Sequence, residues 1–388
     1  MLNENKFGEN LKKIRNEKGL SQGELGKILF VSAQTVSKWE NGLSFPDMTN
    51  LCALANALGV SSDSLLWASH PSELPDIYIG IDGGGSKTEI IVFKDNGEIC
   101  DRVVTVGTNP NIYGLEKICE TLMTTVDGML SSVSGNLRAI YAGIAGSGVG
   151  KNAAVICECF KNAYPNAKIR VESDSYNVLS SVRGTEYGIA VICGTGINVS
   201  AYTPFGMRRF GGWGYLFDNF GSGYDIGNAV LRHCLAVYDG LEPESYLSKK
   251  AEQTLGGRAA AMLDRIYSKG KDFIASFAPL AFEAYICGDA KASEIIECNT
   301  SHIAKLLEAA IKEFDRLPPI VMSGGLMNYK DIIIPLISKK LSFEPNITVP
   351  QMPQSYGACL ACLKLCEKEN CINEEFENNF NINLKNYK

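Results

Sequence analysis

The sequence has few histidines, no long apolar run and no excess of positive charge. Its three histidines, His70, His233 and His302, lie far apart in the chain, so they indicate no zinc site. No run approaches the roughly 20 apolar residues that a membrane-spanning helix needs, and the first residues lack the apolar stretch of a secretory signal. A net charge of −6 argues against a protein that coats nucleic acid over its whole surface. We expect a cytoplasmic protein that does not bind a membrane.

The 13 cysteines are scattered and odd in number, which favours a reducing cytoplasm over a disulfide-linked protein. Cys359, Cys362 and Cys366 follow one another at helical spacing, so one face of a helix would carry all three. We expect that face to be packed in a core, because buried free cysteines behave as small apolar residues. A metal or iron–sulfur site is the alternative interpretation.

Changes in composition divide the chain of 388 residues into four segments. Residues 1–68 contain helically spaced apolar positions, and the polar, proline-containing run at 69–76 is typical of a linker. Between 77 and 366, strand-like runs alternate with helical ones, which predicts an α/β architecture. Residues 367–388 are rich in Asn, Glu and Lys, and we expect a polar C-terminal tail that frays. The main strand-like runs are 77–82, 89–93, 139–146, 168–173, 188–196 and 319–325.

The segment LSQGELGKILFVSAQTVSKWENG predicts two short helices separated by a turn. Ser21 and Glu24 form a capping-box pattern at the start of the first helix, which would end near Leu29. Ser32 is placed to cap the second helix. Gln22, at the start of the first helix, carries an amide of the kind that contacts DNA phosphates.

The second of these helices has an apolar face and a polar face. Val36 and Trp39 face inward, whereas the outward side chains are of the types that contact base edges and phosphates. The outward residues are Gln34, Thr35, Ser37 and Lys38. Together with the run from Pro46 to Ser61, this pattern resembles the lambda-repressor-like, XRE-type helix-turn-helix family over residues 7–67. The resemblance implies DNA binding, with homodimers on operator half-sites about one helical turn apart; a helical bundle used for protein contacts is the alternative.

Glycine-rich turns follow three of the strand-like runs, at Ile81–Thr88, Cys193–Ser200 and Met322–Asn328. Glycine lets a chain turn tightly, so that its N–H groups can point at phosphate oxygens. The first turn lacks the spacing of a Walker loop, but it begins with Asp82, which ends a strand where it can hold Mg²⁺ through water. A fourth glycine-rich segment, Gly143–Lys151, also has the wrong spacing and is predicted to be a strand-to-helix turn.

Three such turns in this order resemble the phosphate-1, phosphate-2 and adenosine motifs of the actin/hexokinase/Hsp70 superfamily. The resemblance implies a multidomain protein, in which an all-α helix-turn-helix domain precedes an α/β actin-like (ribonuclease H-like) ATPase domain of two lobes. It also implies ATP and Mg²⁺ as cofactors. The candidate ATP- and phosphate-binding residues are Asp82, Gly84, Gly85, Ser86, Lys87, Thr88, Gly194, Thr195, Gly196, Ser323, Gly324 and Gly325, with Asp82 also the candidate metal residue.

A narrower resemblance is carried by GTNPN (107–111), ESDSYNVL (172–179) and FGGWGYLFDNFGSGYDIG (210–227). These segments resemble the N-acetylglucosamine kinase branch of the BadF/BadG/BcrA/BcrD ATPase family, over residues 77–365. The resemblance implies that Asp174 accepts the proton of an amino-sugar hydroxyl as that oxygen attacks the γ-phosphate of ATP. The sugar-binding residues that it implies are Asn109, Asn198, Gly212, Trp213, Gly214 and Asn219.

The chain departs from that pattern after the GGWG turn. The family commonly has GDEGS where this chain has Asp218-Asn219-Phe220-Gly221-Ser222, so Asn219 and Phe220 replace two acidic residues. Ile197 stands where a small polar residue is usual. A polar site that lacks a partner discriminates poorly between ligands. The departures imply either a different sugar or a domain that serves mainly as a sensor.

Three functions remain open on the sequence alone. The first is a sugar-responsive transcription regulator, in which closure of the two lobes on ATP and sugar alters DNA binding. The second is a competent N-acetylhexosamine kinase with DNA binding added for autoregulation. The third is a BadF-type ATPase that activates a partner enzyme.

Overall fold

A computed structural model of the chain describes residues 4–66, 74–218 and 220–387. The chain divides into two compact units, one of Met1–Asp76 with Ser134–Asn136 and one of Ile77–Val133 with Leu137–Lys388. The predicted sugar contact Asn219 and most of the predicted linker lie outside the described residues.

The described residues of the first unit form five helices. They are α1 (Glu4–Glu17), α2 (Gln22–Leu29), α3 (Ala33–Glu40), α4 (Met48–Leu58) and α5 (Ser62–Leu66). Side-chain caps set their starts: Ser21 and Glu24 make the predicted capping box, Ser32 caps α3, and Asp47 caps α4. Gly59 ends α4 in the left-handed region, at φ +64°.

A buried ion pair joins α1 to α3 within the apolar core of this unit. The Arg15 guanidinium donates to Glu40 at 2.5 Å and to the carbonyl oxygen of Leu20. Glu40 also accepts a hydrogen bond from the Gln22 side chain at 2.7 Å. The Glu40 carboxylate is therefore satisfied from two helices, which fixes α3 against α1 and α2.

The second unit contains two five-stranded sheets. The first comprises β1 (Asp76–Gly83), β2 (Lys87–Phe93), β3 (Ile99–Val106), β4 (Asn136–Ile144) and β5 (Lys168–Glu172), in the spatial order β3-β2-β1-β4-β5. The second comprises β6 (Gly188–Cys193), β7 (Ile197–Thr203), β8 (Gly206–Phe210), β9 (Ile320–Ser323) and β10 (Ile347–Thr348), in the order β10-β9-β6-β7-β8.

Each sheet begins with an antiparallel meander of three strands and continues with parallel strands. The two sheets thus share one topology and define the two lobes of an actin-like domain. The strand-like runs recognised in the sequence correspond to β1, β2, β4, β5, β6 and β9. The fold prediction, a helical domain followed by a two-lobed α/β domain, is confirmed.

Helices connect and cover the strands of the two lobes. In the first half of the unit they are α6 (Pro110–Tyr113), α7 (Leu115–Ser132), α8 (Asn152–Ala163) and α9 (Asp174–Ser180). The remaining helices are α10 (Gly223–Tyr238), α11 (Tyr246–Leu255), α12 (Leu263–Ala275), α13 (Ala278–Ile286), α14 (Ala290–Ala310), α15 (Lys330–Ser338), α16 (Gln354–Leu365) and α17 (Glu374–Asn386). Among the described helices, none is long and apolar enough to cross a membrane.

Helices α9 and α16 cross each other between the two lobes. Helix α9 contacts β6, β7 and β9 of the second lobe, while α16 contacts β2 of the first. At the crossing, a Cβ on Gly357 would overlap the backbone carbonyl of Asn177. The Ser180 hydroxyl donates to the Gly357 carbonyl oxygen at 2.9 Å. Glycine is needed at 357 because the two backbones touch there.

The C-terminal segment is folded, so the prediction of a frayed tail after residue 366 is wrong. Helix α17 is capped by Asn373, and its Phe376 and Phe380 are fully buried against Tyr78 and Phe93 of the first lobe. The apolar content of the segment is low, but its aromatic residues fall on one helical face. The composition of the segment therefore indicated disorder, although its apolar helical face packs against the first-lobe core.

The cysteine-bearing helix face lies in the same core. Cys359 and Cys362 of α16 are fully buried among apolar side chains, and burial raises the pKa of both thiols. Within the described parts of the chain, no group of three or more His, Cys, Asp or Glu residues is arranged to hold a metal ion. The packing interpretation of these cysteines is confirmed.

Replacing Gly357 with alanine should destabilise the actin-like domain by about 1–3 kcal/mol, because the added methyl group overlaps the backbone of α9. The matched control is Gly128→Ala within α7, where a Cβ would meet nothing within 4 Å. The control should be neutral or stabilising by up to about 1 kcal/mol. Thermal unfolding followed by circular dichroism measures both, and equal midpoints for the two variants would refute the close crossing.

Candidate active site and DNA-binding surface

Asp82 is the penultimate residue of β1, directly before the first glycine turn. Its carboxylate accepts a hydrogen bond from the Asn177 side chain at 2.8 Å. Burial raises the pKa of Asp82 to about 7, and the negative charge of Asp174 adds to the rise. A carboxylate enclosed in this way gains from a nearby cation, and carboxylate oxygen is the ligand type that Mg²⁺ takes. The residue present thus fits the predicted metal role.

Asp174 is the first residue of α9, directly after the capping residue Ser173. The Ser173 hydroxyl donates to Asp174 Oδ1 at 3.1 Å. Burial raises the pKa of Asp174, while the hydrogen bond from Ser173 and the positive charge of Arg209 oppose the rise. Asp174 and Asn177 lie about one helical turn apart on α9, and Asn177 donates to Asp82, so the start of α9 places Asp174 near Asp82.

Asn177 holds α9 against the first lobe beside Asp82, a role that the sequence did not predict. Its amide nitrogen donates to Asp82 and, at 3.3 Å, to the carbonyl oxygen of Gly143. Gly143 leaves room for that side chain, which a Cβ would overlap. The Asn177 side-chain oxygen is buried and has no hydrogen-bond partner. The motif ESDSYNVL contained the signal, because Asn177 lies three residues after Asp174, which places them about one helical turn apart.

The first glycine turn is closed by a hydrogen bond from the Gly84 N–H to the Lys87 carbonyl oxygen at 2.9 Å. Gly84 and Gly85 are half-buried, whereas Ser86 and Lys87 are exposed. Thr88 is fully buried, and its hydroxyl pairs with the hydroxyl of Thr108 at 2.8 Å. The Thr88 hydroxyl is thus engaged behind the turn, and a contact of residue 88 with phosphate stays a prediction.

The second glycine turn joins β6 to β7. The Gly194 N–H donates to the Gly196 carbonyl oxygen at 2.9 Å. The start of α10 is hydrogen-bonded to the turn. The Gly223 N–H donates to the Gly194 carbonyl oxygen, and the Tyr224 N–H donates to the Thr195 carbonyl oxygen. A Cβ on Gly194 or Gly196 would meet nothing within 4 Å. The outer side of this turn is thus open for a ligand.

The third turn follows β9. Gly324 has φ +105°, and a Cβ there would overlap the backbone of Cys193, so the turn lies against the end of β6. Ser323 accepts a hydrogen bond from the Gln354 side chain of α16 at 3.2 Å. Gly325 is exposed and begins a short 3₁₀ segment. The predicted adenosine turn therefore lies next to the second glycine turn and is hydrogen-bonded to α16.

The predicted sugar residues Asn109 and Asn198 belong to different lobes. Asn109 caps α6, accepting the Asn111 N–H at 2.9 Å, and its side chain fills the space that a Cβ on Gly146 would need. Gly146 lies in the strand-to-helix turn between β4 and α8, as predicted for that segment. Asn198 accepts a hydrogen bond from Ser200 at 3.1 Å.

A chain of hydroxyl groups connects Asn198 to the helix that carries Asp174. The Ser175 hydroxyl of α9 donates to Ser200 at 3.1 Å and contacts the hydroxyl of Tyr202 at 2.8 Å. Ser200 in turn donates to Asn198. The network therefore brings Asn198 of β7 and the start of α9 to the same side of the second lobe.

The turn after β8 carries the remaining predicted sugar residues. Gly212 has φ +72°, and a Cβ there would lie 3.3 Å from the Asn198 side chain. The Trp213 ring is 58% exposed and lies 4.2 Å below the guanidinium carbon of Arg209. The Gly214 N–H donates to Asp218 at 2.9 Å. The Asp218 carboxylate is thus engaged by its own turn.

Two of the sequence departures can be located. Ile197 is almost fully buried, so its side chain packs in the second-lobe core. Phe220 has φ +66°, a left-handed backbone that bulky residues rarely adopt, and its ring is 45% exposed. Holding phenylalanine in that conformation costs about 1–3 kcal/mol.

Helix α3 presents the predicted DNA-binding residues as a partly exposed face. Gln34 and Lys38 are exposed, while Thr35 and Ser37 are half-buried. The Gln22 amide donates to Glu40, so the ion pair of Arg15 and Glu40 sets its orientation. Because Val36 and Trp39 are buried, the opposite face of α3 is the one available to a partner.

Comparison with known proteins gives matches to both units. Residues 79–363 match the BadF/BadG/BcrA/BcrD ATPase family, a description that implies the use of ATP, and residues 11–65 match the helix-turn-helix family. The N-acetyl-D-glucosamine kinase of Dictyostelium discoideum is 28% identical over 317 residues, which cover 74% of this chain and 98% of that protein.

Two solved structures show the same fold. A candidate N-acetylglucosamine kinase from Chromobacterium violaceum has a TM-score of 0.58 at 23% identity, over 74% of this chain and 99% of its own. A ROK family transcriptional regulator, a homologue of the E. coli MLC protein, has a TM-score of 0.53 at 12% identity, over 96% of this chain and 99% of its own.

The described geometry and these matches agree. A helix-turn-helix DNA-binding domain is joined in one chain to a sugar-kinase-like domain. Since the family model spans most of the sequence, the chain belongs to the BadF/BadG/BcrA/BcrD ATPase family.

Proposed function

We propose that this protein is a sugar-responsive transcription regulator whose actin-like domain binds ATP and an N-acetylated hexosamine and retains phosphoryl transfer to a sugar hydroxyl. The observation that carries the proposal is that Asn177 of α9 donates to Asp82 at 2.8 Å, which brings Asp82 close to Asp174 at the start of the same helix. The similarity to the N-acetyl-D-glucosamine kinase of Dictyostelium discoideum supports the substrate class. The helix-turn-helix match supports the regulatory half.

Asp174 would act as the general base in this reaction. It accepts the proton of the sugar hydroxyl while that oxygen forms a bond to the γ-phosphorus, and the bond from that phosphorus to the β,γ-bridging oxygen breaks to release ADP. The raised pKa of Asp174 makes its carboxylate a stronger base than an exposed aspartate. Mg²⁺, held through water by Asp82, would neutralise phosphate charge. Asn109 and Asn198 would hold the sugar hydroxyls from the two lobes.

Regulation would follow from thermodynamic linkage between the sites. If sugar and ATP alter the affinity for DNA, DNA must alter the affinity for sugar and ATP by the same factor. The homodimeric form of helix-turn-helix proteins on operator half-sites is part of the proposal. The ROK family transcriptional regulator, which shares the fold over 96% of this chain, supports the combination of a sugar-kinase-like domain with transcription control.

Replacing Asp174 with asparagine should lower kcat by about 10²–10⁴-fold, because the amide cannot accept the hydroxyl proton. ADP release measured with a panel of N-acetylated hexosamines tests this. The control is Asp264→Asn, an exposed carboxylate in the first turn of α12, which should leave turnover unchanged.

The same variant separates sensing from catalysis. Sugar-dependent DNA binding should survive in Asp174→Asn, since the substitution preserves the shape of the side chain. Loss of that response together with phosphoryl transfer would exclude sensing by ligand binding alone. No ADP release from the unsubstituted protein with every sugar tried would refute the kinase half of the proposal.

Substitutions on α3 should separate sequence recognition from phosphate contact. Gln34→Ala should cost about 1–3 kcal/mol of discrimination between bases, whereas Lys38→Ala should weaken binding to all sequences and lower the salt slope by about 1. Duplexes selected from a random DNA library by the full chain provide the probe. Lys12→Ala, an exposed lysine on α1, is the charge-matched control, and an equal loss in that variant would contradict the assignment of α3.

A further inference from the structure

Arg209 lies on the sheet face that looks toward the start of α9. It pairs directly with Ser200 across β7 and β8, and residues paired in this way project from the same face of a sheet. The Ser200 hydroxyl meets the Ser175 hydroxyl of α9 at 3.1 Å, so that face is turned toward the helix that begins at Asp174. Asn198, two residues before Ser200, shares the face.

The first lobe approaches the same region. A Cβ on Gly148, in the turn between β4 and α8, would lie 3.8 Å from the end of the Met207 side chain of β8. The same turn contains Gly146, which contacts Asn109. A sugar held between Asn109 and Asn198 would therefore lie beside β8, within the neighbourhood of Arg209.

The Arg209 guanidinium is stacked on an aromatic ring, and it acts on the Asp174 carboxylate through its charge without forming a salt bridge with it. Its carbon lies 4.2 Å from the centre of the Trp213 ring, a stacking contact that leaves the N–H edge of the guanidinium available. Among the described residues, no carboxylate forms a salt bridge with it. The neighbouring Arg208 differs, since it lies on the opposite face and pairs with Glu313 at 2.6 Å.

The nearby loop offers little negative charge to compensate Arg209. Asp218 is engaged by the Gly214 N–H, and Phe220 brings an apolar ring to the loop. A positive charge that is oriented by an aromatic ring and has no carboxylate at hydrogen-bonding distance is suited to a carboxylate or phosphate on a ligand, because the guanidinium edge donates two parallel hydrogen bonds to such groups.

We propose that Arg209 is a specificity-determining residue that binds an anionic substituent, a carboxylate or a phosphate, on the amino sugar in this cleft. This inference rests on the proposed function, because it requires that the cleft binds a sugar. It defines the ligand class more narrowly, as an acidic rather than a neutral N-acetylated hexosamine. A guanidinium that only supported Asp174 would affect neutral and acidic sugars alike.

Isothermal titration calorimetry with the full chain tests the proposal with three probes. They are N-acetylglucosamine, N-acetylmuramic acid, which adds a carboxylate to the same sugar, and N-acetylglucosamine 6-phosphate. At least one anionic sugar should bind about 10- to 100-fold more tightly than N-acetylglucosamine, as expected for charge-assisted hydrogen bonds. The anionic probe that shows this preference identifies the carboxylate or the phosphate as the recognised group.

Arg209→Gln should abolish this preference, and any loss of affinity for N-acetylglucosamine should be smaller than the loss for the anionic sugar, since the neutral sugar makes no charge-assisted bond to the guanidinium. Arg208→Gln is the matched control on the same strand and should retain the preference. Arg209→Lys keeps the charge but loses the planar fork, so an intermediate preference is expected, and this variant serves if Arg209→Gln does not fold.

Equal affinities of the unsubstituted protein for all three probes would overturn the inference and leave the proposed function standing. A uniform loss for neutral and acidic sugars in Arg209→Gln would overturn it as well. Absence of binding by every probe would refute the sugar-binding function itself, and with it this inference.

Discussion

The contact between α9 and α16 is the constraint on which the arrangement of the cleft depends. The backbone carbonyl of Asn177 packs against Gly357, and the side chain of the same residue donates to Asp82. Asp174 begins α9, so the helix that touches α16 also carries the second carboxylate. A change in the crossing would move Asp174 relative to Asp82, because one rigid helix connects the two contacts.

The repeated topology of the two sheets explains why a glycine turn lies at the same position in each lobe. Each lobe begins with an antiparallel hairpin, and each hairpin carries a glycine turn at the end of its first strand. A Cβ on Gly194 or Gly196 would project into open space, whereas Thr88 behind the first turn is enclosed and pairs with Thr108. The exposed backbone of the turns, and not the side chains behind them, is what a nucleotide would meet.

The helix-turn-helix unit was predictable from local rules, because capping and apolar spacing act over a few residues. Ser21, Glu24 and Ser32 cap the helices that they were expected to cap. The C-terminal helix was not predictable in this way, since Phe376 and Phe380 gain their stability only from a core built by residues nearly 300 positions earlier in the sequence, such as Tyr78. The low apolar content of this helix is typical of a disordered tail, which is why the sequence predicted one.

The sequence by itself determined the two domains, the positions of Asp82 near the end of β1 and of Asp174 after β5, and the glycine turns, because each depends on residue type and short-range spacing. Only the tertiary structure decided that Asn177 binds Asp82, that Thr88 is enclosed, and that Arg209 stacks on Trp213 beside the cleft. These facts depend on which faces of distant strands and helices meet. Pairing of β7 with β8 and the crossing of α9 with α16 bring those faces together, and neither leaves a local pattern in the chain.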